Sequence, residues 1–199
     1  MGLLTAKDFT LLLFILSQVW YRPIPCLVTP SFSTDSNWIK PPPSVVKVNI
    51  DGTCPRWLGS PAIGVIVRDS EGMVIVGCPK QVSCLRDASM DEALAICCGL
   101  RFVMELVFSK VILESDSKNV VLKVLQPRIN QFVLRFTLME ARQVLDVNPE
   151  YCVRVIRRTA NGVAHRLAQY VVAVNSPVSF TSDYPSFIAS NVISDANFR

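Results

Sequence analysis

The spacing of apolar residues constrains the fold of this chain most strongly, because it changes from a strand period to a helix period partway along. Residues 45–51, 62–70 and 73–79 alternate apolar and polar side chains and are separated by turn residues. This pattern predicts three strands in an antiparallel meander. Residues 87–107 instead place apolar side chains three and four positions apart, which predicts an amphipathic helix.

The remaining elements alternate in type. Residues 110–115 and 151–158 have the alternation of strands, whereas 116–126, 131–147 and 160–174 have the period of helices. The order is therefore three strands, a helix, a strand, two helices, a strand and a helix. It predicts an α/β fold built on a mixed five-stranded sheet with flanking helices.

Composition limits the class of protein. Half of the 199 residues are hydrophobic and 18% are charged, which is typical of a globular chain rather than a disordered one. The net charge of +4 permits an anionic partner but does not require one. The 7 cysteines form no C-x-x-C pair and there is 1 histidine, so a zinc site is disfavoured and reduced thiols in an intracellular protein, nuclear or cytoplasmic, are expected.

The two ends of the chain differ from its centre. We expect an apolar N-terminal helix over 1–20, a proline- and serine-rich linker over 21–44, a compact domain over 45–175 and a tail over 176–199. Residues 9–20 have two interpretations. The first is a helix of a soluble protein, and the second is a targeting segment, either a signal peptide or a membrane anchor. The run is short for a membrane span and no clean cleavage site follows, so we favour the first and expect no stable membrane association.

Three acidic residues occupy the ends of predicted elements. Asp51 ends the first strand, Glu92 lies near the start of the first long helix, and Asp116 follows the fourth strand. If the first and fourth strands are neighbours, the three carboxylates meet, repel one another and favour a shared divalent cation such as magnesium or manganese. Each acid also has a simpler interpretation: a turn residue, a solvated acid in a first helical turn, and a helix N-cap respectively.

Five segments in order carry a resemblance to a known family. They are KVNIDGT (47–53), AIGVIVRDSEGMVI (62–75), DEALAI (91–96), VILESDSKNVV (111–121) and RRTANGVAHRLA (157–168). Together they resemble the ribonuclease H type 1 domain, in its reverse-transcriptase-like version that is abundant in plants and tied to non-LTR retroelements. The resemblance covers roughly 38–175, and 9–20 is similar to a tryptophan-containing helix often found upstream of this domain.

The resemblance implies an endonuclease that hydrolyses the RNA strand of RNA–DNA hybrids with two metal ions, Mg²⁺ or alternatively Mn²⁺, and acts as a monomer. It assigns Asp51, Glu92 and Asp116 to the first three metal-binding carboxylates and places His165 at the fourth position, so that all four are expected to be catalytic and metal-binding. Asp91 competes with Glu92 for the second position.

The chain also departs from the family pattern. Histidine suits magnesium less well than a carboxylate does, although it is familiar at the position of His165 in the plant version. The flexible histidine-bearing loop before the last helix and the separate basic handle of some members are both absent from the sequence. An alternative function is therefore a catalytically weakened nucleic-acid-binding domain, domesticated from a retroelement.

Basic and amide side chains near the predicted centre are candidates for nucleic-acid contacts. Arg157 and Arg158 end the fifth predicted strand and Asn161 follows it, whereas Lys47 lies in the first strand and Arg56 follows that strand. The simpler interpretation is ordinary solvated charge for the basic residues and an N-terminal helix cap for Asn161.

Overall fold

The computed structural model describes residues 35–55, 60–82, 87–126 and 132–197. The predicted helix over 1–20 and most of the predicted linker lie outside these ranges. Among the residues that the structure describes, none of the helices combines the length and the apolar character that a membrane crossing requires.

A mixed sheet forms the centre of the molecule, as predicted. Its strands are β1 (Val46–Thr53), β2 (Ala62–Arg68), β3 (Val74–Gly77), β4 (Lys80–Gln81), β5 (Val111–Ser115) and β6 (Tyr151–Val155). Five of them lie in the order β3-β2-β1-β5-β6, and the short β4 pairs with β2. β1 runs antiparallel to β2 and parallel to β5. The sheet thus has six strands where five were predicted, because a strand of two residues is too short to show an alternating pattern.

Five α-helices accompany the sheet in the described part of the chain. They are α1 (Ala88–Glu105), α2 (Lys118–Leu125), α3 (Phe132–Val147), α4 (Gly162–Val174) and α5 (Ser186–Asn197). The side chain of Asp87 caps α1 by accepting hydrogen bonds from the backbone N–H groups of Ser89 and Met90. A 3₁₀ helix over Arg158–Asn161 precedes α4, so the last predicted helix begins two residues later than expected.

One face of the sheet packs against α1, α2 and α3 in the larger apolar core. Gly99 lets α1 lie close to the sheet, because a Cβ atom at this position would be 2.8 Å from Ile50 and 3.0 Å from Leu113. This close packing explains why a residue that weakens a helix stands in the middle of a long one.

The other face packs against α4 and α5 in a smaller apolar core. Ile188 and Val192 of α5 are buried there, and Tyr170 of α4 stacks on Phe187 with ring centroids 4.3 Å apart. Upstream of β1, the side chain of Trp38 is also buried. The domain boundaries proposed at 45 and 175 remain predictions, but residues on the outer side of both contact the sheet or the helices that cover it.

Candidate metal centre

The three acidic residues named from the sequence lie together. Asp51 is near the carboxyl end of β1, Asp116 directly follows the parallel strand β5, and Glu92 is in the second turn of α1. One oxygen atom of each carboxylate lies within 4.8 Å of the corresponding atoms of the other two. Because parallel strands end at the same edge of a sheet, the topology itself brings these acids to one place. The cluster could bind a metal ion.

The simpler interpretations of these acids do not match the structure. Asp51 is not in a turn, because β1 continues to Thr53 and pairs Asp51 with Gly64 of β2. Glu92 is largely buried rather than solvated, and Ser117, not Asp116, occupies the N-cap position of α2. Each acid therefore points into the shared centre instead of shaping its own element.

Gly52 allows β1 and α1 to meet. A Cβ atom at this position would lie 2.6 Å from the carbonyl group of Asp91 and 2.8 Å from the backbone nitrogen of Glu92. Any other residue would therefore push the start of α1 away from the strand. The Asp-Gly pair was visible in the sequence, but the role of its glycine is close approach rather than turn formation.

Asp91 does not compete with Glu92 for the centre. Its side chain is fully buried, and the acidic group within metal-binding distance consists of Asp51, Glu92 and Asp116 in the part of the chain that is described. Successive residues of a helix point in directions about 100° apart, so only one of the two can face the strand ends.

The centre is electrostatically strained without a cation. Burial raises the pKa of Glu92 to about 8, and the charges of Asp51 and Asp116 add to that shift. Burial also raises the pKa of Asp51 to about 6, against the opposing effect of its hydrogen bond to His165. Among the described residues, Oδ1 of Asp51 and Oε2 of Glu92 are buried with no hydrogen-bond partner. Unpartnered carboxylate oxygens suit a hard divalent cation.

His165 reaches the centre from α4. Its Nδ1 atom lies 2.9 Å from Oδ2 of Asp51, and its side chain is 20% exposed. The three-carboxylate group itself does not include it. His165 therefore contacts the centre through Asp51, and its predicted role as a metal ligand remains a prediction.

Asn161 connects two strands that carry metal-centre residues. Its Nδ2 atom donates to the carbonyl oxygen of Ile50, at 2.8 Å, and to Oδ1 of Asp116, at 2.9 Å. Both partners are acceptors, so the amide nitrogen must face them. Asn161 is buried and its side chain makes no helix-capping hydrogen bond, although it stands at the N-cap position of α4. It thus holds the centre together, which neither sequence interpretation described, and nothing in the sequence signals contacts across such distances in the chain.

The basic candidates differ in position. Arg158 donates to Oδ2 of Asp116 at 3.3 Å and lies 3.1 Å from Nε2 of His165, while its side chain stays 63% exposed. Arg157 is exposed beside it. Lys47 is buried and forms an ion pair with Glu114 at 2.8 Å, so its ammonium group does not face solvent where a phosphate could approach. Arg56 lies outside the described residues.

Comparisons with known proteins agree with this geometry. A family model described as reverse transcriptase-like matches residues 49–171. A ribonuclease H1 from Halobacterium salinarum NRC-1 superposes with a TM-score of 0.60 at 20% identity, covering 66% of this chain and 99% of that one. The N-terminal ribonuclease H domain of a Mycobacterium tuberculosis protein gives 0.59 at 18% identity, covering 65% and 94%.

A third similar structure contains a ligand. LC11-RNase H1 in complex with an RNA/DNA hybrid gives a TM-score of 0.57 at 16% identity, covering 65% of this chain and 98% of that one. A search of curated proteins found no match. At these identities the solved structures establish the fold, and the family model establishes the relationship. The chain belongs to the reverse transcriptase-like family and has the fold of a ribonuclease H1 domain.

Proposed function

We propose that this protein is a metal-dependent endonuclease that hydrolyses the RNA strand of RNA–DNA hybrids by two-metal-ion catalysis. One observation carries the proposal: three carboxylates from separate elements, buried or half-buried, converge within 4.8 Å in a ribonuclease H fold. The complex of LC11-RNase H1 with an RNA/DNA hybrid supports the choice of substrate.

The three carboxylates of the centre would act as metal ligands. Asp51, Glu92 and Asp116 would hold the ions through carboxylate oxygens, which are the ligands that Mg²⁺ and Mn²⁺ favour. Bound divalent ions would activate the attacking water and stabilise the leaving 3′ oxygen in an in-line displacement. The products would be a 5′-phosphate and a 3′-hydroxyl.

The surrounding side chains would position these ligands and the substrate. Asn161 keeps Asp116 beside the strand that carries Asp51, and His165 orients Asp51 through its Nδ1 atom. The exposed guanidinium of Arg158 places positive charge at the mouth of the centre, where a phosphate would approach. Glu92 would lie close to the ribose 2′-hydroxyl, the group that distinguishes RNA from DNA.

A cleavage assay on the full chain tests the proposal. The RNA strand of a labelled hybrid should be cut in Mg²⁺ or Mn²⁺ and left intact in EDTA, while a DNA duplex should be left intact in all three. Asp51→Asn and Asp116→Asn should each abolish cutting, because each removes a negatively charged ligand. Glu140→Gln is the matched control, since this acid is exposed on α3 and pairs only with Arg101 among the described residues. A wild-type rate in either asparagine variant would remove the assignment.

A second candidate function is a nucleic-acid-binding domain with weakened catalysis. The contacts of His165 with Asp51 and of Arg158 with Asp116 favour it, because both engage carboxylate oxygens that a metal ion would use. It predicts that the protein binds hybrid without cutting it, even in Mn²⁺. His165→Asp should then raise the cleavage rate, and an unchanged rate would show that His165 is not the defect.

We also propose that the protein acts as a monomer in the nucleus or cytoplasm. Within the described residues Cys78, Cys97 and Cys98 are free thiols, which supports a reducing compartment. Fractionation of cells that express the tagged full chain tests the location, and recovery in the secreted or membrane fraction would contradict it.

A further inference from the structure

A second group of polar side chains lies next to the metal centre, two residues further back along β1 and β5. Asn49 stands two residues before Asp51 on β1, and Glu114 stands two residues before Asp116 at the end of β5. The Cα atoms of Asn49 and Glu114 are partners in the parallel register. Because alternate residues of a strand share a face, this pair forms the row next to the carboxylates.

A side-chain hydrogen bond joins the two strands in that row. Nδ2 of Asn49 donates to Oε2 of Glu114 at 3.1 Å, and both side chains are buried. The Asn49 oxygen accepts from Nη2 of Arg68 at 2.7 Å and from Nε1 of Trp38 at 2.8 Å. Two donors on one side and a carboxylate on the other leave one orientation for the amide. Lys47 pairs with the second oxygen of Glu114 at 2.8 Å.

The C-terminal helix completes this group. Arg68 lies fully buried on β2, with its guanidinium 3.7 Å above the ring of Trp38. Its Nη1 atom pairs with Oδ2 of Asp195, on α5, at 2.7 Å. We call the group the buried polar network; its members are Trp38, Lys47, Asn49, Arg68, Glu114 and Asp195. Residues before β1 and after α4 therefore both contribute to a contact beneath the metal centre.

We propose that the buried polar network is a positioning device for the metal centre, in which Asp195 of α5 acts through Arg68 and Asn49 on the spacing of β1 and β5. The inference rests on the proposed metal binding. Buried ion pairs add little net stability compared with apolar packing, but a buried network of directional hydrogen bonds favours one arrangement of the groups that it joins. Here those groups are the two strands whose ends carry Asp51 and Asp116.

Two effects of Asp195 on the centre are separated by the choice of substitution. Arg68 and Asp195 are both largely buried, so salt screens their charges only weakly, and removal of the charge of Asp195 also changes the field at the centre. Asn49 carries no charge, so a substitution at this position breaks the interstrand hydrogen bond without adding or removing a charge.

Calorimetric titration of the full chain with Mn²⁺ tests the inference without a cleavage assay. Asp195→Asn removes the charge and keeps the shape, and we expect it to lower the Mn²⁺ affinity about three- to tenfold. Val192→Ala is the matched control on the same helix, because it removes a buried apolar contact outside the network. It should lower the melting temperature and leave the Mn²⁺ affinity unchanged.

A second variant removes the interstrand contact itself. Asn49→Leu keeps the branched shape and the neutral charge but makes no hydrogen bonds, so we expect at least a tenfold loss of Mn²⁺ affinity in protein that still melts cooperatively. If Asn49→Leu does not fold, the comparison of Asp195→Asn with Val192→Ala is the test of the positioning role. Equal affinities in the wild type and Asp195→Asn, or equal losses in Asp195→Asn and Val192→Ala, would overturn the positioning role alone. A wild-type chain that binds no Mn²⁺ would overturn this role and the proposed metal centre together.

Discussion

The metal centre lies at the ends of β1 and β5 and the buried polar network lies two residues further back along them, but their charges are compensated in different ways. In the network each charge has an opposite partner: Lys47 faces Glu114, and Arg68 faces Asp195. In the metal centre three acids meet; Asp51 contacts the imidazole of His165, and the positive charge beside Asp116 belongs to the exposed Arg158. The charges of the network are paired with one another, whereas the negative charges of the centre are balanced only when a cation is bound.

The pKa shifts express the same difference. Burial lowers the pKa of Arg68 and raises that of Asp195, but the attraction between the two opposes both shifts. For Glu92 burial and the neighbouring acids shift the pKa in the same direction, upwards. Loss of a charge should therefore destabilise the network and stabilise the metal-free centre. Substitutions at Arg68, Glu92, Asn161 and Arg158 test that contrast.

Removal of Arg68 should have the largest effect. Arg68→Met keeps much of the volume but leaves Asp195 and the Asn49 oxygen without their main donor. Breaking a buried pair from one side typically costs about 3–5 kcal/mol of unfolding free energy. Urea denaturation measures this loss. Arg101→Met breaks the exposed pair with Glu140 and should cost less than about 1 kcal/mol, so similar losses in the two variants would contradict the contrast.

Neutralisation of Glu92 should raise the free energy of unfolding instead of lowering it. The pKa of this group is about 8 in the folded state against 4.5 ordinarily, so the folded protein loses stability as pH rises through that interval. Glu92→Gln should therefore stabilise the metal-free protein by about 1–3 kcal/mol at pH 8.5 and by progressively less towards pH 5. Thermal melting in EDTA at several pH values measures the gain. A loss of stability at pH 8.5 would show that the acids do not strain the centre.

Truncation of Asn161 should give a smaller loss that affects both stability and metal binding. Asn161→Ala removes the donor shared by Ile50 and Asp116 and leaves a buried carbonyl oxygen unsatisfied. We expect a loss of about 1–3 kcal/mol in unfolding free energy and a several-fold lower Mn²⁺ affinity. Asn161→Asp is a useful comparison, because it retains capping ability at this position but not the donor. If Asn161→Asp behaves like the wild type, a helix-cap role would replace the positioning role.

Replacement of Arg158 should have the smallest effect on stability. Its ion pair with Asp116 is 3.3 Å long and the arginine side chain is 63% exposed. Arg158→Gln should change the unfolding free energy by less than about 1 kcal/mol, as for other surface pairs. Hybrid binding, measured by fluorescence anisotropy, should weaken and lose part of its salt dependence. Unchanged binding with a large loss of stability would make Arg158 a structural residue.

Much of the fold could be predicted, because its elements have strong local patterns. The strand predicted over 45–51 is Val46–Thr53 in the structure, and the helix predicted over 87–107 is Ala88–Glu105. The helix α5 was expected only as a tail. Its buried residues, Ile188 and Val192, are few and the helix is short, so its apolar period is weak in the sequence.

The candidate site was predictable in part for the same reason. Asp51, Glu92 and Asp116 stand at the ends of strongly patterned elements, and one assumption about strand order was enough to place them together. The contacts of Asn161 with Ile50 and Asp116, and the buried polar network, were not predicted. Their contacts join residues between 11 and 127 positions apart, and the same amino acids in another topology would be ordinary caps or surface charges.

Local sequence patterns were enough to specify the elements, their order and the three acids at their ends, because apolar period and turn chemistry act over a few residues. The folded arrangement was needed to show which strands are neighbours and where the side chains of α4 and α5 reach. It thereby made one group of charges self-neutralising and left the other in need of a cation. The reason is that the energy of a buried charge depends on the partners that surround it in space, which local sequence does not specify.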